Sequence, residues 1–164
     1  MWRIYKRGKV WWATKTVKGV RVRASTGCAG KAAASKVTEQ WELEDADPRH
    51  RAAHETTLES ALSALMADRR TRGRADGTIS MYVQKSAHLV RLLGRETPLA
   101  RVTAHTVDTY CATRLEEGAH RSTIGKELTT LRAALRLARR HGLFDRDVAE
   151  VLPIGWSAAY EPRT

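Results

Sequence analysis

The sequence has 164 residues, a formal charge of +11 and a pI of about 10.3. That length suits one ordinary domain or two small ones. So basic a chain is typical of proteins that meet nucleic acid or an anionic surface, and the absence of any apolar run near the ~20 residues that cross a bilayer argues against a membrane protein.

Charge is distributed unevenly along the chain. The first 40 residues carry ten Lys or Arg against one acid, Glu39. Residues 41–56 reverse the balance, with five acids against two Arg. This acidic, proline-containing stretch separates two basic blocks and indicates a domain boundary. The predicted organisation is a domain at 1–45, a linker at 46–55, a second domain at 56–152 and a further linker at 153–164.

Residues 2–27 predict three short strands joined by two tight turns. The glycines of Arg7-Gly8 and Lys18-Gly19 supply the positive φ that hairpin turns need. Side chains alternate across a strand, so each face can be assigned from the sequence. The predicted apolar face holds Trp2, Ile4, Val10, Trp12, Val20, Val22 and Ala24. The predicted cationic face holds Arg3, Tyr5, Lys9, Trp11, Lys15, Arg21 and Arg23.

After Gly27 the pattern changes to that of a helix. Ala33, Val37 and Trp41 are spaced by four, which places them on one helical face that can cover the apolar side of the sheet. The first domain is therefore predicted to be β-β-β-α. Its cationic face is left open to a polyanion, because Arg and Lys neutralise phosphates and a strand ribbon is narrow enough to enter a major groove.

From Thr56 to about Val151 the sequence is helical in period. Short loops and narrow apolar stripes predict a compact helical bundle. The predicted fold class is therefore α+β, with a small three-stranded antiparallel sheet and one helix followed by an all-α bundle. The predicted helices of the bundle begin near Leu58, Thr78, Thr103, Arg121 and Asp145.

A second basic surface is predicted on the bundle. The helix that begins near Arg121 has cations opposite its apolar stripe, and the free N–H groups of its first turn favour phosphate. A basic, glycine-broken loop at 69–74 extends the patch. The candidate residues are Arg72, Arg74, Lys85, Arg121, Ser122, Thr123, Lys126 and Arg132.

The sequence carries no catalytic constellation, phosphate loop or metal motif. His50 and His54 are four apart but lack further ligands nearby. Cys28 and Cys111 are isolated and predict free thiols in a reducing compartment. We therefore expect no catalytic residue, no metal, no cofactor and no small-molecule ligand, and a cytoplasmic location.

Two stretches resemble a known family. Residues 11–27 read W-W-x-x-x-x-x-x-G-x-R-x-R-x-S-T-G and precede an alanine-rich helix. This pattern resembles the arm-type DNA-binding domain of phage-like tyrosine recombinases, the integrases. Residues 72–82, R-G-R-A-D-G-T-I-x-x-Y, are similar to the SAM-like core-binding domain of the same family, and stretches beginning at Leu92, Ser122 and Ala138 agree with it.

The resemblance implies a protein of a phage or mobile element that acts at the bacterial nucleoid with other protomers of the same recombinase. The sheet would enter the major groove of arm-type sites, and the bundle would form half of a C-shaped clamp on the core attachment site. The implied arm-type contacts are Arg21, Arg23 and Ser25. The implied core-type contacts are Thr78, Lys85, Thr123 and Lys126.

The family's catalytic domain would follow the core-binding domain, but the sequence stops at Thr164, and Tyr160 lacks the neighbours that a nucleophile requires. We therefore expect the chain to bind double-stranded DNA without cleaving it, as the N-terminal region of a site-specific recombinase. Two alternatives stay open. One is a stand-alone DNA-binding regulator or architectural factor, and the other is an RNA-binding or protein-interaction module built on the β-β-β-α unit.

Overall fold

The computed structural model describes residues 1–47, 51–153 and 156. The remaining residues of the two predicted linkers, among them His50 and Tyr160, lie outside the described residues. The sheet consists of β1 (Arg3–Arg7), β2 (Val10–Val17) and β3 (Val20–Ser25) in the order β1-β2-β3. The helices are α1 (Lys31–Asp45), α2 (Arg51–Glu55), α3 (Leu58–Thr71), α4 (Asp76–Leu93), α5 (Ala104–Glu116), α6 (Arg121–Arg140) and α7 (Val148–Val151), with a 3-10 turn at Leu99–Arg101. The α+β prediction is confirmed.

The two hairpin turns fix the register of the sheet. The second turn is Lys18-Gly19, as predicted, and both residues have positive φ. The first turn is centred on Gly8-Lys9 instead of Arg7-Gly8, because Arg7 pairs with Val10 across the end of the ladder. A two-residue turn pairs the residue before it with the residue three positions later, so odd positions of β1 share a face with even positions of β2. The prediction grouped odd positions of β1 with odd positions of β2. The faces predicted for β2 are therefore wrong, whereas those of β1 and β3 are as predicted.

Helix α1 covers one face of the sheet. Trp41 packs edge-on against Trp2, with the ring centroids 5.1 Å apart, over Ala13, Val22 and Ala24. The buried positions of the helix are Ala34, Thr38 and Trp41, while the predicted Ala33 is exposed. Ala13 and Ala24 on the sheet are small and let the helix approach closely, and the two indoles are the largest side chains of this core.

The bundle packs α3, α4 and α6 around one apolar core. Leu65, Leu89 and Leu131 are at most 1% exposed within it. Thr57 begins α3 by accepting a hydrogen bond from the Ser60 amide at 3.2 Å, and Thr103 caps α5 as predicted. Side-chain oxygens at these positions satisfy amides that a helix start leaves without partners.

A buried ionic cluster joins α5 to α6 and α4. Glu127 is fully buried and accepts hydrogen bonds from the Tyr110 hydroxyl at 2.6 Å and the Arg114 guanidinium at 2.8 and 3.1 Å. Burial disfavours the charge of Glu127, but these donors outweigh it and hold the pKa of Glu127 below its ordinary value. Hydrogen bonds from Arg91 and Arg114 lower the pKa of Glu117 to about 2.

The sheet unit docks on the bundle through a buried arginine. The Arg101 side chain is 0% exposed and binds the carboxylates of Glu44 and Asp45 in the last turn of α1. It also donates to the Trp41 carbonyl at 3.0 Å and stacks on the Trp41 ring, with its guanidinium carbon 4.6 Å from the centroid. The segment predicted as a solvated linker contains α2, whose Ala53 is 2% exposed. The two units are therefore packed together.

Replacing Arg101 tests this docking. Arg101→Met removes the guanidinium that donates to Glu44, Asp45 and the Trp41 carbonyl, so we expect a loss of about 3 kcal/mol in the free energy of unfolding. In the wild type, denaturation followed by tryptophan fluorescence and by helical circular dichroism should coincide, because four of the five tryptophans lie in residues 1–47 and the two units unfold together. The exposed Arg70→Met is the matched control, and an equal loss in both variants would contradict the assignment.

The carboxylate clusters predict acid sensitivity. The pKa values of Asp45, Glu117 and Glu127 are lower in the folded chain than their ordinary values of 3.8 for Asp and 4.5 for Glu. The unfolded chain therefore binds more protons, and stability falls as pH falls. For Glu117 the loss runs from about pH 4.5 down to about pH 2. Urea unfolding measured at several pH values in this range gives the free energy of unfolding against pH. This free energy should change less with pH in Glu117→Gln than in the wild type, while the exposed Glu39→Gln should keep the wild-type dependence.

Candidate nucleic-acid interface

One face of the sheet gathers arginines from β1 and β3. Directly opposed residues of an antiparallel pair point to the same face, so the pairs Arg3↔Thr14 and Thr14↔Arg23 place three side chains in a row. Helix α1 covers the opposite face. On this face Trp12 and Ser25 are buried and Trp12 packs on Gly94 of the bundle, which leaves only the arginine-bearing part open. We call it the arginine face. It consists of Arg3, Tyr5, Arg7, Thr14, Thr16, Arg21 and Arg23.

Most cations of the arginine face have no acidic partner. Arg3, Arg7 and Arg21 are exposed, and within the described residues none of them forms an ion pair. Arg23 is 46% exposed and its Nε lies 3.5 Å from Glu96. An unpaired guanidinium keeps its charge and its donors available, and its planar fork matches phosphate oxygens and guanine edges. The arginine face therefore has the charge and the exposed donors that suit an anion.

Arg7 is a functional candidate that the sequence prediction missed. It had been assigned to the first turn, whereas the structure makes it the last residue of β1. Its guanidinium carbon lies 4.7 Å from the centroid of the Trp12 ring, which fixes the side chain by stacking. The alternation of Arg3, Tyr5 and Arg7 along β1 was the signal that could have identified it.

Lys15 and Trp11 were predicted on the cationic face and lie on the other one. Under α1, the Lys15 ammonium donates to Glu42 at 3.2 Å and to Asp45 at 3.0 Å, and the side chain is 19% exposed. Burial lowers the pKa of Lys15, but the two carboxylates outweigh it and raise the pKa above its ordinary value. Trp11 is on the same side, 6.0 Å from the Lys31 ammonium. Both corrections have one cause, since the two-residue turn places the odd positions of β2 on the face opposite the odd positions of β1.

Lys9 and Ser25 lie where the sheet meets the bundle. Lys9 is in the first turn, and its ammonium is 3.3 Å from Glu116 of α5, with both side chains exposed. Ser25 is 9% exposed, and its hydroxyl accepts a hydrogen bond from the Gly27 amide at 3.2 Å. In this arrangement Ser25 shapes the end of β3 and does not add to the exposed arginine face.

The outward face of α6 forms a second basic surface. Lys126 is exposed and Arg132 is half-buried, and within the described residues neither forms an ion pair. Arg136, one turn after Arg132, is exposed and equally unpaired in the described part of the chain. The carboxylate of this helix, Glu127, points into the bundle. The helix therefore presents cations outward without an acid of its own.

The first turn of α6 holds three more predicted residues. Arg121 and Ser122 are exposed and Thr123 is half-buried. The His120 ring caps this turn by accepting from the Ser122 amide at 3.3 Å, so one of the free N–H groups is already used. The Arg121 guanidinium lies 4.9 Å from the centroid of the Trp156 ring.

The remaining predicted residues lie near the other end of α6 and on α4. Arg72 donates to Asp68 at 2.9 Å, and Asp68 lies 3.8 Å from Arg140, the last residue of α6. Arg74 is exposed, and no ion pair to it occurs among the described residues. Thr78 and Lys85 are half-buried on α4. Since 20 helical residues span about 30 Å, the predicted bundle residues do not meet at one point.

The described residues contain no group of three or more His, Cys, Asp or Glu side chains that could hold a metal ion. None of the described helices is both long enough and apolar enough to cross a membrane. Burial raises the pKa of Cys111 to about 11, which keeps its thiol protonated at neutral pH.

Comparison with known proteins gives two family matches. Residues 3–44 match the phage integrase N-terminal domain, and residues 69–142 match the phage integrase N-terminal SAM-like domain. No curated protein sequence matches significantly. A solved structure, the crystal structure of a lambda integrase tetramer bound to a Holliday junction, has the same fold with a TM-score of 0.58 at 19% identity. The match covers 98% of this chain and 46% of that chain, so the present sequence spans just under half the length of that relative. The chain therefore belongs to the phage-type integrases, of which it contains the N-terminal and SAM-like domains.

Proposed function

We propose that the chain binds double-stranded DNA as the N-terminal region of a phage-type integrase. The arginine face would bind arm-type sites, and the outward face of α6 would bind the core attachment site. One observation carries the proposal: Arg3, Arg7 and Arg21 are exposed on one face of a sheet, and no described carboxylate neutralises them. A folded protein that leaves three such cations together gains a site for a polyanion.

The dimensions of the sheet support insertion in a major groove. Three strands at about 4.8 Å spacing are about 10 Å across, and the groove is about 12 Å wide. Helix α1 lies on the far side and does not obstruct the approach. Arg21 and Arg23 could then reach guanine edges, while the Thr14 and Tyr5 hydroxyls add shorter hydrogen-bonding groups.

The length of α6 supports a contact that follows the phosphate backbone of the DNA. About 30 Å of helix is close to one turn of B-DNA, about 34 Å. Lys126, Arg132 and Arg136 occupy about 15 Å in the middle of this length and would neutralise neighbouring phosphates. Contacts of this kind fix the position of the protein on the duplex and carry little sequence information.

We also propose that further protomers share the DNA with this chain, as expected for an integrase that works on paired attachment sites at the bacterial nucleoid. Both matched regions are DNA-positioning domains of the family, so this chain would bind and position DNA rather than cut it. The chemistry of strand exchange would belong to a catalytic domain.

Paired substitutions test whether the sheet and the bundle bind different DNA sites. Footprinting on the native attachment region first defines one duplex protected by the sheet and one protected by the bundle. Arg21→Ala should weaken binding to the first by on the order of tenfold at ~0.05 M salt and spare the second. Lys126→Ala should do the reverse. Equal losses on both duplexes in either variant would contradict the two-surface assignment.

The salt dependence tests the electrostatic basis. If at least three phosphates are neutralised, log Kobs should fall against log[salt] with a slope of about −0.9 for each. Anisotropy titrations with a labelled duplex measure this slope. A flat response would reject the polyanion site, and stronger binding to duplex RNA of the same sequence would favour the RNA-binding alternative.

A further inference from the structure

The cleft above the arginine face continues onto the helical bundle. Arg7 and Arg23 line this cleft and also line a second one, whose other wall is formed by residues of α4 and the loop after it. Arg91 and Arg95 belong to that wall. Sheet and bundle thus share one groove with arginines on both sides, and neither bundle arginine was among the predicted contacts.

Backbone contacts hold the wall against β3. The Arg23 amide donates to the Glu96 carbonyl at 3.3 Å, and the Thr97 hydroxyl donates to the Arg23 carbonyl at 2.8 Å. Trp12 packs on Gly94 so closely that a Cβ there would lie 2.8 Å from the indole. Arg95 is therefore fixed beside β3, which is an edge strand of the sheet.

Three carboxylates border this groove, and they differ in how firmly they hold their arginines. Glu117 binds Arg91 through two hydrogen bonds of 2.7 Å, and Glu96 lies beside Arg23. Glu59 lies 3.7 Å from Arg95, and these two side chains are 51% and 65% exposed. An exposed pair at that distance contributes little to stability. Arg95 is thus the bundle cation that a phosphate can capture.

We propose that a duplex seated on the arginine face also contacts Arg95, so that the bundle takes part in binding the arm-type site. When a ribbon lies along a major groove, the two phosphate backbones flank its edge strands. Arg95 lies beside the β3 edge, where one of those backbones would run. The inference rests on the proposed function, because it requires DNA on the arginine face.

The test isolates the sheet by neutralising the bundle's own surface. In a full-length Lys126→Gln, Arg132→Gln, Arg136→Gln background, binding of a 20-bp mixed-sequence duplex is measured against salt. Arg95→Gln should lower Kobs by on the order of tenfold at ~0.05 M salt and reduce the slope by about 0.9. Its backbone hydrogen bond from the Glu59 amide is unaffected by this change. Lys36→Gln, on the exposed side of α1, is the matched charge control.

A second substitution should change Kobs in the opposite direction. Glu59→Gln releases Arg95 and should raise Kobs, and the gain should vanish in the Arg95→Gln background, as expected for two groups that act through one contact. A gain that persists there would show a general field effect and overturn the inference. If Arg21→Gln weakens binding while Arg95→Gln behaves like Lys36→Gln, the inference fails and the sheet site stands. If Arg21→Gln also changes nothing, the proposed function fails with it.

Discussion

The buried guanidinium of Arg101 is the contact on which the arrangement of sheet and bundle depends. Burial lowers the pKa of Arg101, and Asp45 and Glu44 oppose that effect by stabilising its charge. Both carboxylates stand in the last turn of α1, which contains no basic residue and where the helix dipole disfavours negative charge. The local arrangement is thus unfavourable by itself, and Arg101, which lies 57 residues after Glu44 and 56 after Asp45, compensates for it. The acidic stretch that indicated a domain boundary supplies one half of an internal interface.

The sequence allowed the fold class, the strands and most helices to be predicted, because these follow from local periodicity and turn residues. Thr103 capped its helix as expected, and α6 began at Arg121. The β2 faces could not be assigned in the same way. Two adjacent tryptophans follow the first turn, and either could have pointed to α1. The number of residues in the turn decides between them, because a two-residue turn puts the even positions of β2 on the face of the odd positions of β1.

The candidate interface was predictable to a similar degree. Arg3, Arg21 and Arg23 were identified because alternation within one strand does not depend on the turn that precedes it. Whether each cation has an acidic partner could not be predicted. Lys15 and Arg21 are both basic strand residues, yet Lys15 is neutralised by Glu42 and Asp45 while Arg21 has no described acidic partner. Which carboxylate reaches which cation is set by the packing of α1 and the bundle, and no local pattern encodes it.

The Arg101 contact also limits how freely the parts of such a protein can be recombined. A chimera that exchanges residues 1–47 for the corresponding region of a relative lacking Glu44 and Asp45 would keep Arg101 without the carboxylates that neutralise it. The exchange would also replace Trp12, whose indole packs closely on Gly94 of the bundle. Under the proposed function, specificity for new DNA sites is therefore more readily transferred by grafting single side chains of β1 and β3 than by exchanging the whole unit.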